Sequence, residues 1–248
     1  MFLTYHLKNE MSNIAIIIAG GSGNRMGQDI PKQFLNVGEK PIIIYTLEVF
    51  QKHPNIDGII VVCKEGWENV LSSYIKQFNI TKISAIVKGG KCGQESIKNG
   101  LDKANEIYNA DDIVLIHDAI RPMVSEETIS DNIAKCTLYG NATTVIPCTT
   151  VVLKKQTNDY SKSIVDRDMV MLTQTPQAFI LKEILSAHDE AQKIGITDSV
   201  ASCTLYSELG RKVYFSAGSE TNIKLTRPAD IKIFKALLHV KKSDWMKE

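Results

Sequence analysis

Ile14-Ala-Ile-Ile-Ile-Ala-Gly-Gly-Ser-Gly-Asn-Arg-Met-Gly27, with Ile30-Pro-Lys-Gln-Phe34 close behind, is the stretch that decides the fold. Five consecutive apolar residues, Ile14 to Ile18, are too few for a helix and fit a strand buried on both faces, as in a parallel sheet. Ala19, Gly20, Gly21, Ser22 and Gly23 then remove bulk where the strand ends, so that backbone N–H groups can approach an anion. Arg25 adds a positive fork and Lys32 a mobile point charge. The stretch reads as a triphosphate cradle; the plainer alternative is a glycine turn between a strand and a helix.

The spacing excludes two other cradles. A Walker loop needs Lys-Ser/Thr directly after its last glycine, and Gly23 is followed by Asn24-Arg25. A dinucleotide fingerprint needs Gly-x-Gly-x-x-Gly and an acidic residue after the second strand; Gly21-Ser-Gly-Asn-Arg-Met fails at its last glycine, and Glu39 lies in a turn.

At 248 residues and 44% hydrophobic, the chain can bury one substantial core. A net charge of +1 gives no footprint for nucleic acid, and the apolar runs are strand-sized, so no membrane span is expected. Residues 1–10 are expected to form a short disordered extension, with Met11 a possible alternative start, and 11–248 a single domain. The five cysteines are scattered without a Cys-x-x-Cys pair, which predicts buried thiols and a cytoplasmic protein.

Downstream, Pro41 to Phe50 reads as a helix with proline in its first turn, Gly58–Cys63 as a second strand and Glu65–Phe78 as a second helix. Ser84–Val87 leads into Gly89-Gly90-Lys91, and the spacing of Ile97, Leu101, Ala104 and Ile107 predicts a helix over 95–108. Ile113–Asp118 is a further buried strand, and Ser125 caps a helix over 126–139. Strands alternating with helices predict an α/β fold with a doubly wound, mostly parallel sheet. In such sheets ligands sit at the carboxyl ends of the strands. Here those ends carry the cradle, Gly89-Gly90 and His117-Asp118, which should share one rim.

From Thr143 the pattern changes to β-rich segments around polar Gln156–Lys162, read as a protruding β-arm over about 148–173 that packs on a second subunit. The chain then returns through Thr175–Phe179 to a helix over 181–193, another opened by Thr197-Asp198, a strand over 213–216, Asn222-Ile-Lys-Leu-Thr226, and a last helix from Pro228 to His239.

Taken together, Ala19–Met26 with Pro31-Lys-Gln-Phe34, Gly89-Gly90 with Ser96, His117-Asp-Ala-Ile-Arg-Pro122, Gln174-Thr-Pro-Gln-Ala-Phe179, Thr197-Asp198 and Asn222–Thr226 resemble a known enzyme family. It is the family of 2-C-methyl-D-erythritol 4-phosphate and ribitol 5-phosphate cytidylyltransferases, and the segments run in its order over nearly the whole chain after Met11. The resemblance implies a Rossmann-like nucleotidyltransferase that moves a cytidylyl group from CTP to a polyol phosphate. It assigns catalysis to Arg25, Lys32 and Lys224, and CTP binding to Ala19, Gly20, Gly21, Ser22, Gly23, Gly90, Ser96 and Asp118. Arg121, Arg167, Thr175 and Thr197 would contact the acceptor, Arg167 reaching into the site of a homodimer partner. Mg²⁺ would be held mainly by phosphate oxygens, with Asp118. His117 fits a structural role at a strand end as well as a participant's.

Three places depart from the family pattern. Gly93, beside Gln94, stands where an arginine is common; Thr149-Thr150 replaces Asp-Thr; and Thr197-Asp-Ser199 replaces Thr-Asp-Glu. The last, with the Arg167-Asp-Met arm, favours ribitol 5-phosphate or a similar alditol phosphate over methylerythritol phosphate. A nucleotide-sugar glycosyltransferase would need Asp-x-Asp after a buried strand, and Asp166-Arg-Asp168 lies in the arm instead. A silent nucleotide-binding regulator would have lost Arg25, Lys32 or Lys224.

Overall fold

A computed structural model describes residues 11–21 and 30–239. In chain order the strands and helices are β1 (Asn13–Ala19), β2 (Asn36–Val37), β3 (Lys40–Pro41), α1 (Ile42–Lys52), β4 (Gly58–Cys63), α2 (Glu68–Gln77), β5 (Ile83–Lys88), α3 (Gly93–Ile107) and β6 (Ile113–Asp118). There follow α4 (Glu126–Tyr139), β7 (Asn141–Pro147), β8 (Val152–Lys154), β9 (Ser163–Val165), β10 (Met171–Ile180), α5 (Leu181–Lys193), α6 (Ser202–Glu208), β11 (Phe215–Ala217) and α7 (Pro228–His239).

Seven strands form one sheet in the order β11-β7-β10-β6-β1-β4-β5. All neighbours are parallel except β10, which runs antiparallel to both β6 and β7. The α/β, mostly parallel expectation holds. Alternation along β1 splits the core: Ala15 and Ile17 pack with Ile43, Leu47 and Phe50 of α1 and Ile129 of α4. Ile14 and Ile16 pack on the other face with Leu101 of α3, Ile184 of α5 and Leu205 of α6. Burial on both faces is why Ile14–Ile18 reads as an unbroken apolar run. Each such side chain contributes about 1.5–3 kcal/mol on leaving water. Phe234 of α7 closes a smaller cluster with Val37, Ile42 and Leu225.

Several boundaries differ from the sequence reading. Asn141–Pro147 is a strand of the main sheet rather than the approach to the arm, because it pairs with both β10 and β11. Thr144 Oγ1 donates to the Pro176 carbonyl at 2.6 Å, and Thr143 and Thr144 are fully buried. Thr175–Phe179, read as a return segment, belongs to β10, and of the expected arm the strands β8 and β9 pair apart from the main sheet, in a two-stranded sheet of their own. Pro41 sits outside α1, since Lys40–Pro41 pairs with Asn36–Val37. The helix expected from Thr197 begins only at Ser202. Ser125 does cap α4, its side chain accepting from Thr128 N–H. The five cysteines are free thiols, four of them buried. No helix among the described residues is long and apolar enough to cross a membrane.

Candidate active site

The carboxyl ends of β1, β5 and β6 meet, as their parallel register requires. Backbones touch where β1 and β5 end: a Cβ placed on Gly89 would lie 3.1 Å from Gly20 Cα and 3.3 Å from the Cys63 carbonyl oxygen. Gly90 N–H donates to Ser96 Oγ at 2.9 Å, which donates in turn to the Cys92 carbonyl. Ala19, Gly20, Gly21, Gly90 and Ser96 therefore come together as a slot lined by main chain. Ser22, Gly23 and Arg25 lie outside the described residues.

Lys32 is brought to this slot by its neighbour. Gln33 is buried and its Nε2 donates to the carbonyl oxygens of Ala19, at 2.6 Å, and Gly21, at 3.1 Å. Phe34 anchors the same turn by stacking on Trp67 with centroids 4.7 Å apart. The sequence reading quoted Gln33 and gave it no role; a glutamine between a lysine and a buried aromatic was the available signal.

Asp118, at the end of β6, carries two cations. Lys224 Nζ is 3.1 Å from its Oδ1, and Arg121 Nε is 3.1 Å from its Oδ2. Burial acts to raise the Asp118 pKa, but the attraction of Lys224 and then Arg121 outweighs it, so the carboxyl is held below its ordinary value. With two positive charges on one carboxylate, the cluster keeps net positive charge for an anion.

The arrangement is braced from behind. His117 is fully buried, with Nε2 3.2 Å from the Arg121 carbonyl oxygen and Nδ1 3.1 Å from Thr175 Oγ1. Burial pushes its pKa down to about 4. A neutral ring fits this network: Nε2–H donates to Arg121, the Thr175 hydroxyl donates to Nδ1, and Thr175 Oγ1 accepts from Asp118 N–H. His117 is thus a brace. Asn222 completes the frame: its Nδ2 donates to Gln174 Oε1 and the Thr175 carbonyl, and its own carbonyl accepts from Arg121 Nη1 at 2.7 Å. These bonds fix the segment that delivers Lys224, and neither Gln174 nor Asn222 had been given a role from sequence.

Asp118, Arg121, Thr175 and Lys224 line a cleft of about 340 Å³, together with Gly93 and Val200–Ser202. The amino terminus of α3 opens at Gly93, so the positive end of its dipole faces the same space. Thr197 does not line this cleft; it lines a neighbouring hollow with Gln94, Lys98 and His188. Arg167 stands exposed on a short 3₁₀ turn after β9, its Nη1 donating to the Thr149 carbonyl oxygen at 3.4 Å. A larger hollow, about 630 Å³, opens at the opposite end of the strands beside Tyr139 and Tyr214. Two of its cations are neutralised, Lys182 by Asp111 and Arg211 by Glu190, so volume does not mark the polyanion site.

Among the described residues no three His, Cys, Asp or Glu side chains gather as metal ligands. Asp118 alone offers a carboxylate to the cleft, a donor set that suits Mg²⁺, which keeps waters and takes its other ligands from substrate phosphates.

Residues 13–240 match the family model of IspD, 2-C-methyl-D-erythritol 4-phosphate cytidylyltransferase. The chain is 46% identical over 229 residues to the ribitol-5-phosphate cytidylyltransferase of Lacticaseibacillus paracasei, covering 92% of this chain and 98% of that one. It is 40% identical over 222 residues to the 2-C-methyl-D-erythritol 4-phosphate cytidylyltransferase of Clostridium tetani, covering 88% and 87%. The solved structure of the 4-diphosphocytidyl-2C-methyl-D-erythritol synthase of Anaerococcus prevotii is similar at a TM-score of 0.78 and 26% identity, over 93% of this chain and 99% of that one. With a match of this length and relatives this similar over most of their own length, the chain belongs to the IspD family of cytidylyltransferases.

Proposed function

We propose that this enzyme transfers the cytidylyl group of CTP to ribitol 5-phosphate, or a similar alditol phosphate, giving the CDP-alditol and pyrophosphate. The observation that carries the reading is the pairing of Lys224 and Arg121 on Asp118, in a cleft also lined by Ile18 and Ile97, which are close in the chain to Gly20 and Ser96. A phosphate oxygen of the acceptor attacks the α-phosphorus in line. The bond from that phosphorus to the bridging oxygen breaks, and pyrophosphate leaves with the electron pair.

The protein's part is positioning and charge. The main chain at Ala19, Gly20 and Gly90, with Ser96, holds the pyrimidine. Lys32, with Arg25, takes the triphosphate and the departing pyrophosphate; Lys224 takes the α-phosphate. Arg121 and Thr175 face the acceptor. Asp118 and phosphate oxygens would hold Mg²⁺, which when bound neutralises charge on the leaving pyrophosphate. The cytoplasm, which supplies CTP, is the compartment we assign.

We infer that residues 11–248 act as one catalytic domain in a homodimer. The β8–β9 arm exposes Val151, Leu153, Ile164 and Met169, an apolar surface suited to a second copy. Arg167 would then serve the partner's acceptor phosphate. Methylerythritol phosphate is the second reading, favoured by the 40% identity to the Clostridium tetani enzyme; the 46% identity to the ribitol enzyme supports the first. Incubation with each nucleoside triphosphate, Mg²⁺ and a panel of alditol phosphates, with pyrophosphate measured, decides. Release with CTP and ribitol 5-phosphate is expected; release only with methylerythritol phosphate would reverse the acceptor choice, and no release with CTP would sink the proposal.

A further inference from the structure

We propose that Gln94 is a positioning residue that sets the acceptor-side wall of the cleft. It lies in the first turn of α3, only 8% exposed, and uses both ends of its amide. Nε2 donates to the Ile196 carbonyl oxygen at 2.9 Å, and Oε1 accepts from Ser199 N–H at 2.8 Å. The segment it clamps, residues 196–199, is irregular chain between α5 and α6. A weaker tie joins it nearby, from Cys92 Sγ to the Thr197 carbonyl oxygen at 3.4 Å.

The residues immediately after the clamp are the wall itself. Val200, Ala201 and Ser202 line the same cleft as Lys224 and Asp118, and Val200 is 89% exposed. The chain that presents them is tied to α3 by the Gln94 amide, two positions from Ser96, which braces the Gly90 turn, while Ser199 Oγ donates to Glu208 of α6. One turn of helix therefore serves both substrates: Ser96 the nucleotide side, Gln94 the other. The clamp also gives Gln94 a role where the family's neighbouring arginine is replaced by Gly93, a position with open space around it.

This inference rests on the cytidylyltransferase reading only in placing the acceptor against Val200–Ser202. Gln94→Met keeps length and volume but makes neither bond, leaving a buried carbonyl and N–H unpaired. The expected result is an acceptor KM raised about tenfold, with the CTP KM within about twofold and kcat little changed. By hydrogen exchange on the full chain, the Ser199 amide should be protected in the unaltered protein and exchange at least about tenfold faster in the variant. Parallel rises in both KM values, or a lowered Tm with neither KM changed, would overturn the proposal. So would rapid Ser199 exchange in the unaltered chain, a measurement that needs no variant. If the unaltered enzyme turns over no alditol phosphate, the functional reading fails and the exchange experiment still decides the clamp.

Discussion

Lys224 Nζ lies 3.1 Å from Asp118 Oδ1 while Arg121 takes Oδ2 at the same distance, so one carboxylate positions two cations on opposite sides of itself. Lys224 keeps 44% of its side chain exposed to the cleft, and Arg121 only 11%. The more accessible of the two is the one able to follow a phosphate. Lys224→Ala should lower kcat by roughly a hundred- to a thousandfold, the usual loss for one preorganised donor. Lys224→Arg should recover only part, since a planar fork replaces a point charge. Steady-state pyrophosphate release measures both, and an unchanged kcat in the alanine variant would remove Lys224 from the chemistry.

Gly89 meets backbone rather than a yielding side chain at its two nearest neighbours. Gly89→Ala must push apart Gly20 Cα and the Cys63 carbonyl oxygen, at a cost of about 1–3 kcal/mol. The same displacement opens the slot proposed to hold the nucleotide, so the CTP KM should rise at least roughly tenfold. Gly93→Ala, with nothing near its added carbon, should keep the stability of the parent in urea unfolding. Equal behaviour of the two variants would show that close backbone approach is not what holds the slot.

The proposed homodimer, with Arg167 crossing into the partner's site, predicts complementation. Neither Arg167→Ala nor Lys32→Ala subunits should be active alone, because each removes one member of every site. In mixed dimers one site receives both intact residues, so up to about a quarter of the parent activity per total subunit should return at equal mixing. Failure of any activity to return after verified subunit exchange would confine Arg167 to its own chain.

His188 gives a pH dependence. It is 4% exposed, its Nε2 has no hydrogen-bond partner, and its pKa is pushed down to about 4, first by burial and then by Lys98, against the opposing pull of Asp102 and Asp189. Unfolded, the ring titrates near 6.5. Below that pH the unfolded chain binds the proton and the folded chain resists it. The stability is therefore complete above about pH 6.5 and is lost as pH falls toward 4. Between pH 7 and 4.5 this group should account for about 2–3 kcal/mol of lost stability. His188→Leu should flatten the urea-unfolding curve against pH by that amount; an unaltered slope would assign the acid sensitivity to other groups.

Much of this was readable from residue patterns. Ile14–Ile18 and Gly58–Cys63 announce themselves because strands buried on both faces carry no polar positions. Ser125 and α3 were equally plain, the first by its cap and the second by its periodicity. Strand β7 was obscured because Thr143 and Thr144 look like surface residues in a list of letters. Their burial depends on bonds to chain more than thirty positions away, such as Thr144 to Pro176.

The sequence by itself determined a parallel α/β sheet whose glycine-rich strand ends share a rim, since buried runs and stripped turns are local properties of the chain. Tertiary structure alone decided which polar side chains do the bracing. Gln33 ties Lys32 to β1, Asn222 ties the Lys224 segment to Arg121, and Gln94 ties the wall of the cleft to α3. The physical reason is the same in each case. Polar groups that leave water must find partners within the protein, and the bonds made by these three residues reach chain between 12 and 105 positions away, brought close only by folding.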